Sequence, residues 1–230
     1  MAERFCRYEL RTTDVDSARA FYSGVIGERA GLEFSVLPER ARALGAVPHW
    51  LGHVSVADVE AAAAGWVELG AQRLGPPRTS SDGFEIVALR DPFGAVVGLT
   101  SREPLSSDGP VLWHDLNVLD QERAFAAYSA RFGWQRGKSF ELDSNLGAYQ
   151  EFSYDGDSPV GGMVSSVRLP GVHPHWLYSF AVRDLDASAA EVVTRGGTVV
   201  PLHVPAPITR RTVVCEDREG AAFALRQRMG

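Results

Sequence analysis

The chain of 230 residues is 45 % hydrophobic and 23 % charged, a balance that supports packed globular cores and excludes a disordered chain. Its formal net charge of −6 excludes the basic surface on which nucleic-acid binding depends. No unbroken apolar run approaches the roughly 18 residues of a membrane span, and the N-terminus holds no apolar signal core. We therefore expect a cytoplasmic protein that acts on neither nucleic acid nor membrane.

The residue pattern of the first half of the chain predicts a strand, a helix, a second strand, a second helix and a final pair of strands. Residues 4–13, "RFCRYELRTT", alternate in polarity and are rich in β-forming residues, as are residues 51–57. The predicted helices start at capping aspartates and end at glycines, and a D-x-x-G turn joins the last two strands. In order, these are Asp14 or Asp16 to Gly27, Asp58 to Gly70, and Asp91 to Gly94.

The second half repeats this order and adds three strands. Its caps, helix ends and turn are Asp120 to Gly133, Asp184 to Gly196, and Asp217 to Gly220. The additional strands are predicted at 138–142 ("KSFEL"), 147–155 and 160–164. Residues 101–110, "SREPLSSDGP", cluster Pro, Gly and Ser, which is typical of a linker. We therefore predict a first domain over 1–100, a linker over 101–110 and a second, complete domain over 111–230.

One long segment of the chain occurs twice. "HWLGHVSVADVEAAAAGWVELGA" begins at His49, and "HWLYSFAVRDLDASAAEVVTRGG" begins at His175. At this offset of 126 residues, 15 of 51 positions are identical, against about three or four expected by chance. The openings "ELRTTD" from Glu9 and "DLNVLD" from Asp115 match at an offset of 106 residues. The chain is therefore a duplication whose first half is about twenty residues shorter between 27 and 49.

Three motifs together carry a family resemblance. They are the "ELRTTD" opening followed by "FY", the "PHWL" at Pro48–Leu51 and Pro174–Leu177, and the closing "DPFGAVVGL" from Asp91. With them the chain resembles the vicinal oxygen chelate superfamily, and within it a two-lobed bacterial subgroup. That superfamily contains glyoxalases, extradiol dioxygenases, methylmalonyl-CoA epimerases, and fosfomycin- and bleomycin-resistance proteins. The resemblance implies an α+β fold of duplicated lobes, each built from paired βαβββ modules, with the first lobe trimmed.

The resemblance also implies where a divalent metal would be held, on strands that line a cup in each lobe. The assignable ligand positions fall on residues without a metal-binding group: Arg7, Leu51 and Gly98 in the first lobe, and Trp113, Leu177 and Ala224 in the second. The position at the end of each lobe's first module cannot be assigned, because the chain is remodelled there. We predict no metal and no cofactor, with a non-standard histidine site at His173 and His175 as the alternative.

Strand alternation predicts which other side chains face each cup. They are Glu9, Arg11 and His53 in the first lobe, and Trp113, Asp115, Asn117, Tyr149, Glu151 and Ser179 in the second. The second lobe keeps its full wall of strands, so we favour it as the ligand-binding lobe.

Among these residues, we predict Asp115 and Glu9 as catalytic groups and the others as ligand contacts. A carboxylate in a partly dry cup can serve as a general base or bind a cationic group. Two alternatives stay open. Each acid can instead accept hydrogen bonds from the backbone or pair with an arginine such as Arg7 or Arg11, and Trp113 can be an ordinary core residue, as can the tyrosine at 149.

The resemblance leaves two functions open. One is a binding or resistance protein whose metal-free cup holds a small apolar or aromatic molecule. The other is a metal-independent lyase, isomerase or cyclase with a carboxylate base. A metal-dependent glyoxalase or dioxygenase with non-standard ligands is the further alternative. Because covalent duplication supplies both partners of each module pair, we expect a monomer, with a homodimer as the alternative.

Overall fold

The structure, a computed structural model, describes residues 3–29, 31–80, 82–104, 109–142, 145–156, 158–201 and 212–227. Four residues of the predicted linker, 105–108, lie outside the described ranges. The elements of the first half are β1 (Phe5–Thr12), α1 (Val15–Ile26), β2 (Leu32–Val36), α2 (Glu39–Ala43), β3 (His49–Ser55), α3 (Val59–Glu68), β4 (Gln72–Arg73), β5 (Arg78–Thr79), β6 (Glu85–Arg90) and β7 (Val96–Thr100).

The second half repeats the order, and strands form in all three segments where the sequence predicted additional ones, although one of them has a counterpart in β2 of the first half. Its elements are β8 (Val111–Asn117), α4 (Gln121–Phe132), β9 (Gln135–Glu141), β10 (Ala148–Ser153), β11 (Gly161–Val164), a 3-10 turn (Ser166–Arg168), β12 (His175–Val182), α5 (Leu185–Thr194), β13 (Thr198–Val200), β14 (Thr212–Glu216) and β15 (Ala222–Gln227). None of the helices in the described ranges is both long and apolar enough to cross a membrane.

Each half forms its own mixed sheet, which confirms the predicted α+β fold of duplicated lobes. The first sheet has the order β2-β1-β3-β7-β6-β4, with β5 paired to β6. The second has the order β13-β14-β15-β12-β8-β11-β10-β9. In the first sheet β2 runs parallel to β1, as β11 runs parallel to β8 in the second. Beyond β11 the second sheet continues into β10 and β9, whereas the first sheet ends at β2, so the trimming is visible in the strand order.

Four equivalent aspartates cap the four long helices, because each carboxylate accepts a hydrogen bond from an N–H three residues later. The choice between Asp14 and Asp16 is settled for Asp14, whose carboxylate accepts from the Ser17 N–H at 3.0 Å. The other caps are Asp58 to Ala61 N–H at 2.9 Å, Asp120 to Arg123 N–H at 3.1 Å, and Asp184 to Ala187 N–H at 2.9 Å.

Contacts divide the chain into two compact units that differ from the two sheets. Unit one comprises Met1–Cys6, Gly52–Ser107 and Trp113–Trp176, and unit two comprises Arg7–Leu51, Asp108–Leu112 and Leu177–Gly230. Each unit therefore combines one module from each half of the duplicated sequence. In unit one α3 packs against α4, and in unit two α1 packs against α5.

A buried chain of hydrogen bonds runs through the core of unit two. The Trp50 indole N–H donates to the Tyr22 hydroxyl at 2.9 Å, and this hydroxyl donates to Asp217 Oδ2 at 3.1 Å. The other oxygen of Asp217 accepts from the N–H groups of Glu219 and Ala221, both at 2.9 Å. One carboxylate thus ties a helix, the start of a strand and a tight turn together.

Unit one contains the same chain built from the duplicated residues. The Trp176 indole donates to the Tyr128 hydroxyl at 3.1 Å, and Tyr128 donates to Asp91 Oδ2 at 2.7 Å. The other oxygen of Asp91 accepts from Phe93 N–H at 2.9 Å and Ala95 N–H at 2.8 Å. The repeated Trp of "HWL", the Tyr of the helix and the Asp of the D-x-x-G turn are therefore kept together as one buried hydrogen-bonding unit.

Removing either tyrosine hydroxyl is expected to destabilise the protein. Tyr22→Phe leaves Trp50 and Asp217 without their shared partner, which costs about 1–3 kcal/mol of unfolding free energy. Tyr128→Phe is expected to do the same in unit one, and urea unfolding measures both. The control is Tyr154→Phe, because the buried Tyr154 hydroxyl accepts a longer bond of 3.3 Å from Phe5 N–H. Equal losses in all three variants would contradict a special role for the duplicated chain.

The Asp91 carboxyl is expected to make stability depend on pH. Burial raises its pKa to about 6, although hydrogen bonds from Tyr128 and the turn amides favour the charged form. An unfolded aspartate has a pKa of about 3.9. The folded state therefore holds the proton longer, and this carboxyl's contribution to stability is lost as pH rises from about 4 to about 6.

As pH rises from 4 to 7, we expect the unfolding free energy of Asp91→Asn minus that of the wild type to increase by about 1–3 kcal/mol, because the amide never becomes charged. Urea unfolding at each pH measures the difference, with Asp14→Asn at an exposed cap as the control. A difference that does not change with pH would show that the Asp91 carboxylate is ionised throughout the range.

Candidate functional site

Strand β8 presents alternate side chains on two faces. Trp113 and Asp115 are buried on one face, together with the half-buried Asn117. His114 lies on the opposite face, where its ring stacks on Phe5 at 4.7 Å and its Nδ1 lies 2.8 Å from the Val160 carbonyl. Burial lowers the pKa of His114 to about 4, so it is a neutral core residue. We call the face of Trp113 and Asp115 the second-lobe cup face.

Three predicted residues on this face are joined by hydrogen bonds. The Tyr149 hydroxyl, from β10, donates to Asp115 Oδ1 at 2.6 Å. The Trp113 indole N–H lies 3.1 Å from the same oxygen and 2.7 Å from the Tyr149 hydroxyl. All three side chains are buried. We call Trp113, Asp115 and Tyr149 the second-lobe triad; it brings a carboxylate, a phenol and an indole N–H to one point.

Gly162 makes the triad possible. It pairs with Asp115 in the parallel register of β11 and β8. A Cβ added at this glycine would lie 2.1 Å from Tyr149 Cζ and 2.2 Å from its hydroxyl oxygen, so only glycine lets the ring cross the strand. Sequence reasoning treated 160–164 only as a strand and missed this role, although a Gly-Gly pair inside a strand is a signal for close approach.

A second polar group on the same face centres on Asn117. Its side-chain oxygen accepts from the Ser166 hydroxyl at 2.7 Å, and its amide nitrogen lies 3.3 Å from His175 Nε2. His175 Nδ1 lies 2.7 Å from the His173 carbonyl, so the ring donates there and accepts from Asn117. Burial lowers the pKa of His175, which agrees with this neutral ring. The His-x-His pair is thus held by its own backbone, and Ser166 is a member that sequence reasoning did not include.

Two further predicted residues of the second lobe differ in their surroundings. Glu151 is half-buried and pairs with Gly162 across β10 and β11. Ser179, in unit two, is fully buried and pairs with Ala224 across β12 and β15. Its hydroxyl has no hydrogen-bond partner among the described residues. A buried hydroxyl without a partner is unfavourable, and the role of Ser179 as a ligand contact stays a prediction.

The acid of the first lobe, Glu9, lies in an ionic cluster. It is 2 % exposed and accepts from Arg7 at 2.9 Å and from the Ser35 hydroxyl at 2.5 Å, with Arg11 Nε at 3.9 Å. Arg7 also donates to Glu33, with Nε 2.8 Å from one carboxylate oxygen and a second bond to the other. The arginine pairing that the sequence left open for Glu9 is the observed arrangement. We call Arg7, Glu9, Glu33 and Ser35 the first-lobe cluster.

The remaining predicted residue of the first lobe, His53, belongs to unit one and is fully buried. It pairs with Gly98 across β3 and β7. A Cβ added at Gly98 would lie 2.3 Å from His53 Nδ1, so the imidazole fills the space of a side chain at position 98. The family's acidic ligand position in this lobe is therefore occupied by a neighbouring histidine ring.

Strand register assigns the ligand positions that the sequence left open. The second module of each lobe has one ligand position on its first strand, Leu51 or Leu177, and one on its last strand, Gly98 or Ala224. The residue two places after the first position pairs with the last position: His53 pairs with Gly98, and Ser179 pairs with Ala224. The same relation in the first modules selects Glu33, opposite Glu9, and Gly162, opposite Asp115. The sequence pattern could not supply this assignment because β2 and β11 follow unequal insertions.

The donor set does not fit the divalent metal that the family resemblance implies. The four positions hold Arg7, Glu33, Leu51 and Gly98 in the first lobe, and Trp113, Gly162, Leu177 and Ala224 in the second. Glu33 alone among them has a metal-binding group, and it pairs with Arg7. Within the described ranges, no three His, Cys, Asp or Glu side chains lie together as a metal site requires.

Two open grooves lie away from these residues. One, of about 610 Å³, is lined in unit two by Val25–Arg29 and Ala181–Asp184. Another, of about 670 Å³, is lined in unit one by residues that include Arg4 and Asp155. One arginine in each groove already has partners, since Arg29 donates to backbone carbonyls and Arg4 pairs with Asp155 at 2.6 Å. We therefore keep the second-lobe triad as the candidate site.

Comparison with known proteins finds relatives that align with most of the chain and solved structures with a similar fold, while no protein-family model matches the chain. Over 243 residues the chain is 28 % identical to a Mycobacterium tuberculosis protein named as a glyoxylase, CFP32, covering 94 % of this chain and 92 % of that protein. Over 129 residues it is 29 % identical to anthracycline biosynthesis protein DauV of Streptomyces sp. strain C5, covering 51 % and 46 %. A mutant 4-hydroxymandelate synthase from Streptomyces coelicolor has a similar fold, with a TM-score of 0.63 at 14 % identity over 100 % of this chain and 93 % of that one.

Filling the space at Gly162 is expected to break the triad. Gly162→Ala forces the Tyr149 ring away from Asp115, and we expect a loss of about 1–3 kcal/mol of unfolding free energy from the overpacking. Urea unfolding measures the loss, and near-ultraviolet circular dichroism reports the changed aromatic environment. The matched control is Gly75→Ala, where an added Cβ meets nothing within 4 Å. Two variants of equal stability would show that Tyr149 does not depend on this glycine.

Proposed function

Because this chain belongs to the vicinal oxygen chelate superfamily, we propose that its second-lobe triad binds a small organic molecule through protein side chains alone. Members of this superfamily bind small-molecule substrates, and the relatives named above as a glyoxylase and an anthracycline biosynthesis protein fit such a role. The observation that carries the proposal is the buried hydrogen-bonded triad of Trp113, Asp115 and Tyr149 on the cup face.

The chemistry of the triad indicates the class of ligand. Trp113 and Tyr149 supply aromatic surface, which suits a planar, mostly apolar molecule. Asp115 supplies a carboxylate oxygen that already accepts a phenol hydroxyl at 2.6 Å. A ligand hydroxyl or amine can replace that donor, and the released Tyr149 hydroxyl can then donate to a ligand oxygen. We therefore propose an aromatic ligand that carries a hydrogen-bond donor beside an acceptor.

The same pair supports a second candidate function, a metal-independent lyase, isomerase or cyclase. Asp115 would take a proton from the bound molecule as general base, and the Tyr149 hydroxyl would stabilise the oxyanion that forms. The observation that favours this function is the direct contact of carboxylate and phenol. Glu9 supports it less, because its oxygens are occupied by Arg7 and Ser35. No step is assigned to a metal, since the donor set does not fit one.

Asp115→Asn is expected to separate ligand anchoring from catalysis. If Asp115 anchors the ligand, the loss of a charged hydrogen-bond partner weakens binding by about 10–100-fold. If it is a base, turnover falls by about 10²–10⁴-fold while much of the affinity remains. Quenching of tryptophan fluorescence by anthracyclines and by simple naphthols measures binding, and product analysis of the same mixtures measures turnover.

The duplicated acid provides the matched control. Glu9→Gln removes the equivalent carboxylate of the first lobe and is expected to leave binding of these compounds unchanged. Trp113→Phe is expected to weaken binding, because the phenyl ring keeps part of the contact area and loses the indole N–H. Binding that survives Asp115→Asn and Trp113→Phe but is lost in Glu9→Gln would place the site in the first lobe and overturn the proposal.

A further inference from the structure

We propose that the guanidinium of Arg7 is the resident cation of the first lobe, standing where members of the superfamily hold a divalent metal. This inference concerns the first-lobe cluster in unit two and does not depend on ligand binding at the second-lobe triad.

The contacts of Arg7 are those of a cation shared between two carboxylates. Its Nε and one terminal nitrogen donate to the two oxygens of Glu33, and its other terminal nitrogen donates to Glu9 at 2.9 Å. A planar guanidinium suits this arrangement, because its fork matches a carboxylate with two parallel bonds and leaves a further N–H for a second acid. Ser35 completes the cluster by donating to Glu9 at 2.5 Å.

Burial explains why the cation is required. The side chains of Arg7 and Glu9 are 3 % and 2 % exposed, and that of Glu33 is 26 % exposed. A carboxylate as deeply buried as that of Glu9, with a second carboxylate nearby, is strongly unfavourable unless a positive charge lies between them. Burial opposes the charge of Arg7 as well, but its hydrogen bonds and charge interactions with Glu33 and Glu9 raise its pKa above the usual value.

The strand positions of Arg7 and Glu33 show that this guanidinium lies where the superfamily's metal ligands would be. Arg7 occupies the first ligand position of the lobe, and the register of β1 with β2 places Glu33 at the second. Arg7, at a position where the superfamily has a metal ligand, instead places its own guanidinium against Glu33, the acidic residue at the second ligand position. The cation is therefore covalently part of the chain.

The second lobe shows the same positions without this charge. Trp113 stands in place of Arg7, and Gly162 stands in place of Glu33. The equivalent acid, Asp115, meets the neutral donors Tyr149 and Trp113. The second lobe is therefore an internal comparison in which the same strand positions carry neither the arginine nor the second carboxylate.

The proposal predicts that a divalent ion can replace the guanidinium. Arg7→His removes the cation and returns an imidazole ligand beside Glu9 and Glu33, a set of nitrogen and oxygen donors that suits Mn²⁺. Arg7→Ala leaves the two carboxylates and more space. After EDTA treatment and dialysis, each variant and the wild type are titrated with MnCl₂. Electron paramagnetic resonance counts bound Mn²⁺, and thermal unfolding reports its effect on stability.

We expect Arg7→His to bind about one Mn²⁺ per chain and to unfold at a higher temperature when the ion is present, with the wild type indifferent. Adding Glu33→Gln to Arg7→His is expected to weaken Mn²⁺ binding by about 10–100-fold. The matched control is Trp113→His, which places an imidazole at the equivalent position opposite Gly162 rather than Glu33 and is expected to gain no Mn²⁺.

Three outcomes would overturn the proposal. In the first, Arg7→His and Arg7→Ala both ignore Mn²⁺, whether they are folded or remain unfolded at every concentration of the ion. In the second, Arg7→His gains Mn²⁺ binding that Glu33→Gln does not weaken. In the third, Trp113→His gains as much binding as Arg7→His. A variant that unfolds in EDTA and refolds when Mn²⁺ is added would support the proposal most directly.

Discussion

The structure depends on one buried carboxylate in each compact unit. Asp217 and Asp91 accept a tyrosine hydroxyl on one oxygen and two turn amides on the other, and the tyrosine in turn accepts a tryptophan N–H. Because a carboxylate deprived of water is costly unless its oxygens are satisfied, its partners must all be in place together. The helix, the strand start and the turn of a unit are thus specified jointly, although Tyr22 and Asp217 lie at opposite ends of the chain.

The cup positions of the two lobes carry different chemistry on the same backbone. In the first lobe Glu9 is neutralised by Arg7 and Arg11, and the cluster is closed by charge. In the second lobe the equivalent Asp115 is held by neutral donors, whose hydrogen bonds a ligand can exchange more readily than an ion pair. Duplication thus preserved the core interactions in both units, while the cup residues diverged into an ion-pair cluster in one lobe and the proposed binding site in the other.

Glycines on cup strands control which side chain fills the space at a former ligand position. Gly162 admits the Tyr149 ring from β10, and Gly98 admits the His53 imidazole from β3. In both cases the absence of a Cβ brings in a side chain from another strand, so the chemistry of a position is supplied by a neighbour. A residue-by-residue comparison of ligand positions therefore describes these sites incompletely.

The sequence by itself determined the local elements and the duplication. Capping aspartates, helix-ending glycines and alternating strands depend on neighbours within a few residues, so the four long helices, strands β9 to β11 and the cup faces of β1 and β8 could be predicted from the sequence, whereas α2 and β2 were not. Only the tertiary structure decided which carboxylate meets a cation and which meets a phenol. The contacts of Arg7 with Glu33, and of Tyr149 with Asp115 across Gly162, depend on strand register, and register is set by pairing between segments separated by unequal insertions.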